Sequence, residues 1–407
     1  MIDEKIIDKL VERLVLRIEE GNTYTLQKIG ESIKKIGTLS PSKAQQLGQI
    51  LKYGGNFDKI VEKIAKVTDL NVADIYEIFE EVAKSDYAFS KQFYDYKGVK
   101  YIPYEENIAL QNQVKALARI TANEYVNFSN TLAFTKRVNG RVVYTDLART
   151  YQETLDKAIL SVAQGKSTFD EQMYSTIKEL GSSGLKTVDY ASGRSVRLDS
   201  SVRQHMKGAL RNLHNETQAI FGEEFDSDGV EISTHLNPAP DHAEVQGRQF
   251  SKEEFAKFQN DQDAVDYTGK LFTKEHEGHD RRSISEYNCY HYTFDIVLGV
   301  SNPEYSEEEL QKIIDDNNKG FELDGVHYTN YEGTQLQRKI ELEVRKQKDI
   351  QIMAKASGNK ELVQESQQKI TQLTHKYKEL SDVSGLPTKM ERMRVPKYRR
   401  ISVKKLQ

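Results

Sequence analysis

The sequence predicts a mainly α-helical protein with a central α+β domain: a helical N-terminal bundle, a small mixed sheet in the middle and a C-terminal helical hairpin. Three observations predict this. Apolar residues recur at helical spacing through the first and last quarters of the chain. Only seven prolines interrupt 407 residues, and there is no tryptophan. Strict alternation is confined to short central runs such as Tyr292, Phe294, Ile296 and Leu298. A chain of this length exceeds what one core usually supports. Its composition divides it into a helical N-terminal region with an aromatic connector (1–104), a long helix plus α+β core (105–302), a helical hairpin (303–387) and a basic tail (388–407).

In chain order, Ile6, Ile7, Leu10, Leu14 and Ile18 form one helical stripe, with a break expected at Gly21-Asn22. Leu26, Ile29, Ile33 and Ile36 continue it after a cap at Thr23 or Thr25. Ser40-Pro41 opens a further helix, with a capping hydroxyl and a proline at the first position, and Gly54-Gly55 closes it. Two more helices follow, one carrying Ile60, Ile64 and Val67, the other starting at Asn71 and carrying Ile75, Ile78, Phe79 and Val82. Aromatics crowd Asp86–Tyr104 around Gly98 and Pro103, which reads as a packed connector. A long helix spans about Glu105 to Ala133, and Asn139-Gly140 turns a hairpin. Helices are expected at Asp146–Ala163, stopped by Gly165, and at Phe169–Leu180, capped at Gly181. Two short strands flank Ser192-Gly193, and Asp199 or Ser200 caps the next helix. Val230–His235 and Tyr292–Leu298 read as strands, Tyr305–Asn317 as a helix, and Phe321–Tyr328 as a hairpin turned at Asp324-Gly325. Two polar helices, about Tyr331–Ala356 and Lys360–Ser381, then form an antiparallel pair.

Hydrophobic residues make up 37% and charged residues 29%, the balance of helices with one buried and one wet face. The net charge of −4 argues against a protein basic all over for coating nucleic acid. A single cysteine, Cys289, excludes an internal disulfide and any need for an oxidising compartment. The N-terminus has no signal-peptide pattern, and no run reaches the ~20 apolar residues of a membrane span, so a soluble protein made in a cytoplasm is expected.

The densest polar cluster lies in Ser233–Gly247, with His235, Asp241 and His242, and is followed by Asn288-Cys289-Tyr290-His291. Imidazole and thiolate are zinc ligands, so His235, His242, Cys289 and His291 are candidate ligands, although Cys-x-His matches no common finger pattern. The plainer reading is that these groups, with Arg194, Arg203, Asp241 and Asn288, lock a loop and a strand–helix junction by hydrogen bonds and ion pairs. A third reading is a metal-dependent hydrolase or nuclease, in which His235, Asp241, His242, Cys289 and His291 hold a cation that activates water. Gly165-Lys166-Ser167 ends like a phosphate loop, but Leu160 stands where that loop needs glycine, and a helix, not a strand, precedes it. His276 and His279 lack the spacing that puts two ligands on one helix face. From Thr388 to Gln407 the net charge is +7. Lys389, Arg392, Arg394, Lys397, Arg399, Arg400, Lys404 and Lys405 are therefore candidates for DNA phosphates or an acidic protein surface, against a plain solvated end.

Several segments together resemble the phage minor capsid protein 2 family. They are Tyr151–Ile159, Gly165–Phe169, Val188–Arg194, Arg203, Ser233–His235 with Asp241-His242 and Gln246-Gly247, Asn288–His291, and Gln337–Glu341 with Arg345-Lys346. Two positions depart from the family pattern: Pro238-Ala239-Pro240-Asp241-His242 where a small residue, arginine, proline, serine and histidine are usual, and Tyr290 where arginine commonly separates Cys and His. The resemblance implies a non-enzymatic, low-copy head component without a cofactor, in the virion and assembled in the bacterial host cytoplasm. It implies the portal and major capsid proteins as partners, the N-terminal helices docking on the portal, and the tail facing packaged double-stranded DNA.

Overall fold

A computed structural model describes residues 4–53, 56–138, 141–189, 194–240, 242–260, 284, 289 and 291–401. The elements are α1 (Glu4–Gly37), α2 (Pro41–Tyr53), α3 (Asn56–Lys97), α4 (Ile108–Asn130), β1 (Leu132–Val138), β2 (Arg141–Asp146), α5 (Leu147–Gln164) and α6 (Lys166–Ser183). There follow β3 (Lys186–Asp189), β4 (Arg194–Arg197), α7 (Leu198–Glu224), β5 (Gly229–Ile232), β6 (Gln249–Ser251), α8 (Lys252–Asn260) and β7 (Thr293–Ile296). The C-terminal part comprises α9 (Glu307–Lys319), β8 (Phe321–Leu323), β9 (Val326–Tyr328), α10 (Asn330–Ser357), α11 (Lys360–Ser384) and a 3-10 turn at Met390–Met393. The mainly α architecture with small central sheets is as the sequence predicts. The described strands form sheets in the orders β2-β1-β3-β4, β6-β5-β7 and β8-β9, every pair antiparallel. The turn residues Gly54-Gly55, Asn139-Gly140 and Ser192-Gly193 lie outside the described residues. No helix among the described residues is long and apolar enough to cross a membrane.

The longest helices differ from the sequence reading. The expected break at Gly21-Asn22 is absent, and α1 runs unbroken for 34 residues. The hydroxyl of Thr25, expected as a cap, instead donates to the carbonyl of Gly21 one turn back at 2.9 Å. The break expected at Asn71 is absent too, since α3 is a single helix of 42 residues. The amide of Asn71 leaves its own helix and donates to the carbonyl of Leu14 (3.0 Å) and the hydroxyl of Tyr125 (2.5 Å). Tertiary hydrogen bonds and burial outweigh the ~1 kcal/mol that a mid-helix Gly or Asn costs in propensity.

The aromatic connector is helical as far as Lys97, where Gly98 with φ +66 ends α3. Tyr87, Phe93 and Tyr94 are core and pack on Phe221 and Phe225 from the end of α7, whereas Tyr96 is exposed. The next helix starts later than expected, at Ile108, because the Asn107 side chain accepts from the Leu110 amide and caps it there. It also ends earlier, since Leu132 and Ala133 pair with Thr187 and Lys186 in the sheet. The hairpin at Asp324-Gly325 is as expected, with φ of 53 and 75 at its two turn residues. Ser306 and Thr329 form full capping boxes on α9 and α10.

One hydrophobic cluster runs from Ile7 to Val363 and draws on α1 to α7, β1, β7, α10 and α11. At its centre lies α1, packed on α3, α5, α7 and α10. The close fit of α10 depends on two glycines. A Cβ at Gly30 of α1 would lie 2.7 Å from the Met353 carbonyl, and one at Gly181 of α6 would lie 2.6 Å from the Ile350 Cα. Gly181 was expected to end α6, but it is an interior position whose missing side chain lets two backbones meet. By ordinary helix propensity Gly→Ala stabilises by ~1 kcal/mol. We therefore expect opposite signs at two helical glycines in chemical denaturation: Gly208→Ala, whose Cβ meets only a guanidinium nitrogen at 4.0 Å, gains up to about 1 kcal/mol, while Gly181→Ala loses roughly 1–3 kcal/mol through overpacking.

Candidate functional site

Two polar centres are built on this frame. The larger is a buried ion network in which the charge comes from distant parts of the chain. Arg197, at the end of β4, bonds Asp349 of α10 at 2.6 Å and approaches Asp199 at 3.4 Å. Arg345, one turn before Asp349, holds the other oxygen of Asp199 at 2.6 Å. From α1, Asn22 donates to Asp349 (3.2 Å) and to Glu19 (3.3 Å), and accepts from the Leu185 amide at 2.9 Å. Arg197 also donates to the carbonyl of Ser183 at 3.1 Å. All five ionisable groups are buried.

Their protonation follows from the packing. Arg345 and Arg197 beside it hold Asp199 well below the usual carboxylate range despite burial. Burial dominates at Asp349 and raises it, opposed by Arg197. Glu19 has no cation of its own among the described residues, and burial with the charges of Asp199 and Asp349 pushes it up to about 8. Arg203, named above as a candidate for ion pairs at the strand–helix junction, lies 2.9 Å from Glu12 of α1. Most of the partners come from α1 and α10, and not from the same stretch of chain. Arg194 stands on β4 opposite Asp189. Asp241 and Asn288 lie outside the described residues, as do His276 and His279. Glu19, Asn22 and Asp349 were missed by sequence reasoning. The signal that could have found the first two was a carboxylate and an amide three residues apart, both inside the apolar stripe of α1.

The smaller centre is the histidine–cysteine cluster. It sits where the loop 233–248 leaves β5 and returns to β6, against the segment that enters β7. His242, Cys289 and His291 are 1%, 4% and 1% exposed, and their ligand atoms all lie within 4.8 Å of one another. The sulfur of Cys289 is 3.5 Å from Nδ1 of His242 and 3.5 Å from Nδ1 of His291, and the His291 amide donates to it at 3.4 Å. Nε2 of His291 meets Oε1 of Gln246 at 3.2 Å, and the same oxygen accepts from the His235 amide at 3.0 Å. The fourth candidate ligand, His235, lies with its ring centroid 4.2 Å from that of His291. Burial, helped by the neighbouring His242, pushes His235 down to about 3, so it stays neutral. Of the four candidates, His242, Cys289 and His291 form one group that could hold a metal. Gln246 is the member that spacing did not single out for this role.

The basic tail is docked as far as Ile401. Met393 is buried with Val344, Ile370 and Tyr377. The Arg392 carbonyl accepts from Arg345 at 2.6 Å, and the Met393 carbonyl accepts from Lys348 at 2.5 Å. The side-chain oxygen of Gln367 accepts from the Tyr398 hydroxyl at 3.1 Å and the Ile401 amide at 3.0 Å. Lys389 and Arg392 approach Asp8 of α1 at 3.8 and 3.7 Å. Arg394, Lys397, Arg399 and Arg400 are exposed, and Lys397 lies over the Tyr24 ring at 5.5 Å. Lys404 and Lys405 lie outside the described residues.

A model of the family described as phage minor capsid protein 2 matches residues 2–382. No curated protein and no solved structure matches.

Two outcomes are expected at the ion network. Asp349→Ala leaves Arg197 buried without its closest partner and costs about 3–5 kcal/mol in denaturant unfolding. Glu19 ionises in the unfolded chain near 4.5 but in the folded chain only near 8, so stability falls as pH rises through that interval. Glu19→Gln removes this dependence, and its melting temperature exceeds that of the parent by more at pH 8 than at pH 5. An equal difference at both pH values would contradict the assignment.

Proposed function

The chain belongs to the phage minor capsid protein 2 family, and on that premise we propose that this structural head protein works at the portal vertex, gripping other head proteins and meeting packaged DNA with its C-terminal edge. The match over residues 2–382 carries the reading, because it takes in every helix that builds the central core. The portal and major capsid proteins are the partners, and the virion interior is the place. For portal docking the N-terminal helices are favoured: α2 and α3 leave Ile50, Val61, Leu70 and Tyr76 exposed, apolar groups that a partner would cover.

The DNA contact is supported by how the tail is held. Lys389 and Arg392 face Asp8 and contribute less, whereas Arg394, Lys397, Arg399 and Arg400 are exposed on a backbone already fixed to α10 and α11. Fixed cations lose little conformational freedom on meeting phosphates, which favours binding. A hydrolase built on the histidine–cysteine cluster has less support. A metal that activates water needs an open coordination position, and His242, Cys289 and His291 are at most 4% exposed.

Two measurements test the reading. Mass spectrometry of purified heads and a pull-down with portal rings should both recover the chain, and its absence from both would remove the proposal. With duplex DNA, replacing Arg394, Arg399 and Arg400 by glutamine should flatten the salt dependence of binding. The log–log slope should fall by up to about 0.9 for each phosphate that is no longer neutralised. An unchanged slope would take DNA out of the picture.

A further inference from the structure

The geometry points to a structural zinc site formed by His242, Cys289 and His291, which staples the loop between β5 and β6 to the segment entering β7. The two sulfur–nitrogen spacings fit the ion. Tetrahedral zinc with Zn–S of ~2.3 Å and Zn–N of ~2.0 Å holds sulfur and nitrogen ~3.5 Å apart. Both sulfur–nitrogen separations here are 3.5 Å.

Protonation supports the same conclusion. The His235 amide can only donate, so the Gln246 atom that it meets is the amide oxygen. That oxygen can only accept, so Nε2 of His291 carries a proton. In the neutral ring Nδ1 is then a bare lone pair, and it is directed at the sulfur. A lone pair so directed can bind a cation together with the sulfur. Gln246 plays the part of an outer-shell residue that fixes tautomer and ring orientation. Binding converts Cys289–SH to a thiolate coordinated to Zn²⁺ and releases its proton to solvent.

The donor set of one thiolate and two imidazoles suits zinc better than calcium or magnesium, which take oxygen. Burial of the three groups suits a structural ion. The position explains the benefit: β5 lies between β6 and β7, and the site pins the approaches to both outer strands.

The test uses the purified full-length protein. Elemental analysis should find about one zinc per chain, and after chelation Co²⁺ should restore a tetrahedral visible spectrum with a thiolate-to-metal charge-transfer band. Because the chain has a single cysteine, that band reports Cys289 without any variant. Gln246→Leu should weaken zinc uptake ~10–100-fold, and chelation should lower the melting temperature of the parent. A folded protein that takes up neither zinc nor cobalt, or a cobalt spectrum without the thiolate band, would overturn the assignment.

Discussion

The pairing of Arg197 and Arg345 with Asp199 and Asp349 is the constraint on which the rest of the architecture depends. Each of these groups is buried, and a buried ion without its partner costs several kcal/mol. The network therefore tolerates one arrangement of the segments that supply it: β4 and the start of α7, the middle of α10, and through Glu19 and Asn22 the middle of α1. A slip of α10 by one turn along α1 would separate Arg197 from Asp349, Arg345 from Asp199 and Asn22 from Asp349 together. The apolar contacts alone, being non-directional, discriminate such slips less sharply.

The same network carries order outward to the C-terminus. Arg345 binds Asp199 through one nitrogen and the Arg392 carbonyl through another, so the position of the tail is set by the position of the core. Lys348, one turn along α10, adds the Met393 carbonyl and lies over the Tyr398 ring at 4.7 Å. Burial lowers its ammonium to about 8, a cost offset by those contacts. The glycine contacts at Gly30 and Gly181 serve the same helix by letting its backbone approach α1 and α6 closely.

For a head component the consequence is rigidity of the surfaces proposed above to meet partners. The exposed arginines of the tail are presented from a fixed backbone, and the apolar groups of α2 and α3 are presented from helices anchored in the common core. The histidine–cysteine centre lies apart from the ion network, among the short strands β5, β6 and β7.

The sequence by itself determined the helical class and most helix starts and stops, because spacing, capping residues and turn glycines act within a few residues of one another. It also brought His242, Cys289 and His291 forward by chemical type. Only the tertiary structure decided that Gly21, Asn71 and Gly181 sit inside helices, since their signals as breakers are weak beside a tertiary hydrogen bond or a backbone contact made far away in the chain. It alone paired Arg197 with Asp349 and left Glu19 to burial and like charge, because the energy of a charge is fixed by neighbours and burial that no local pattern records.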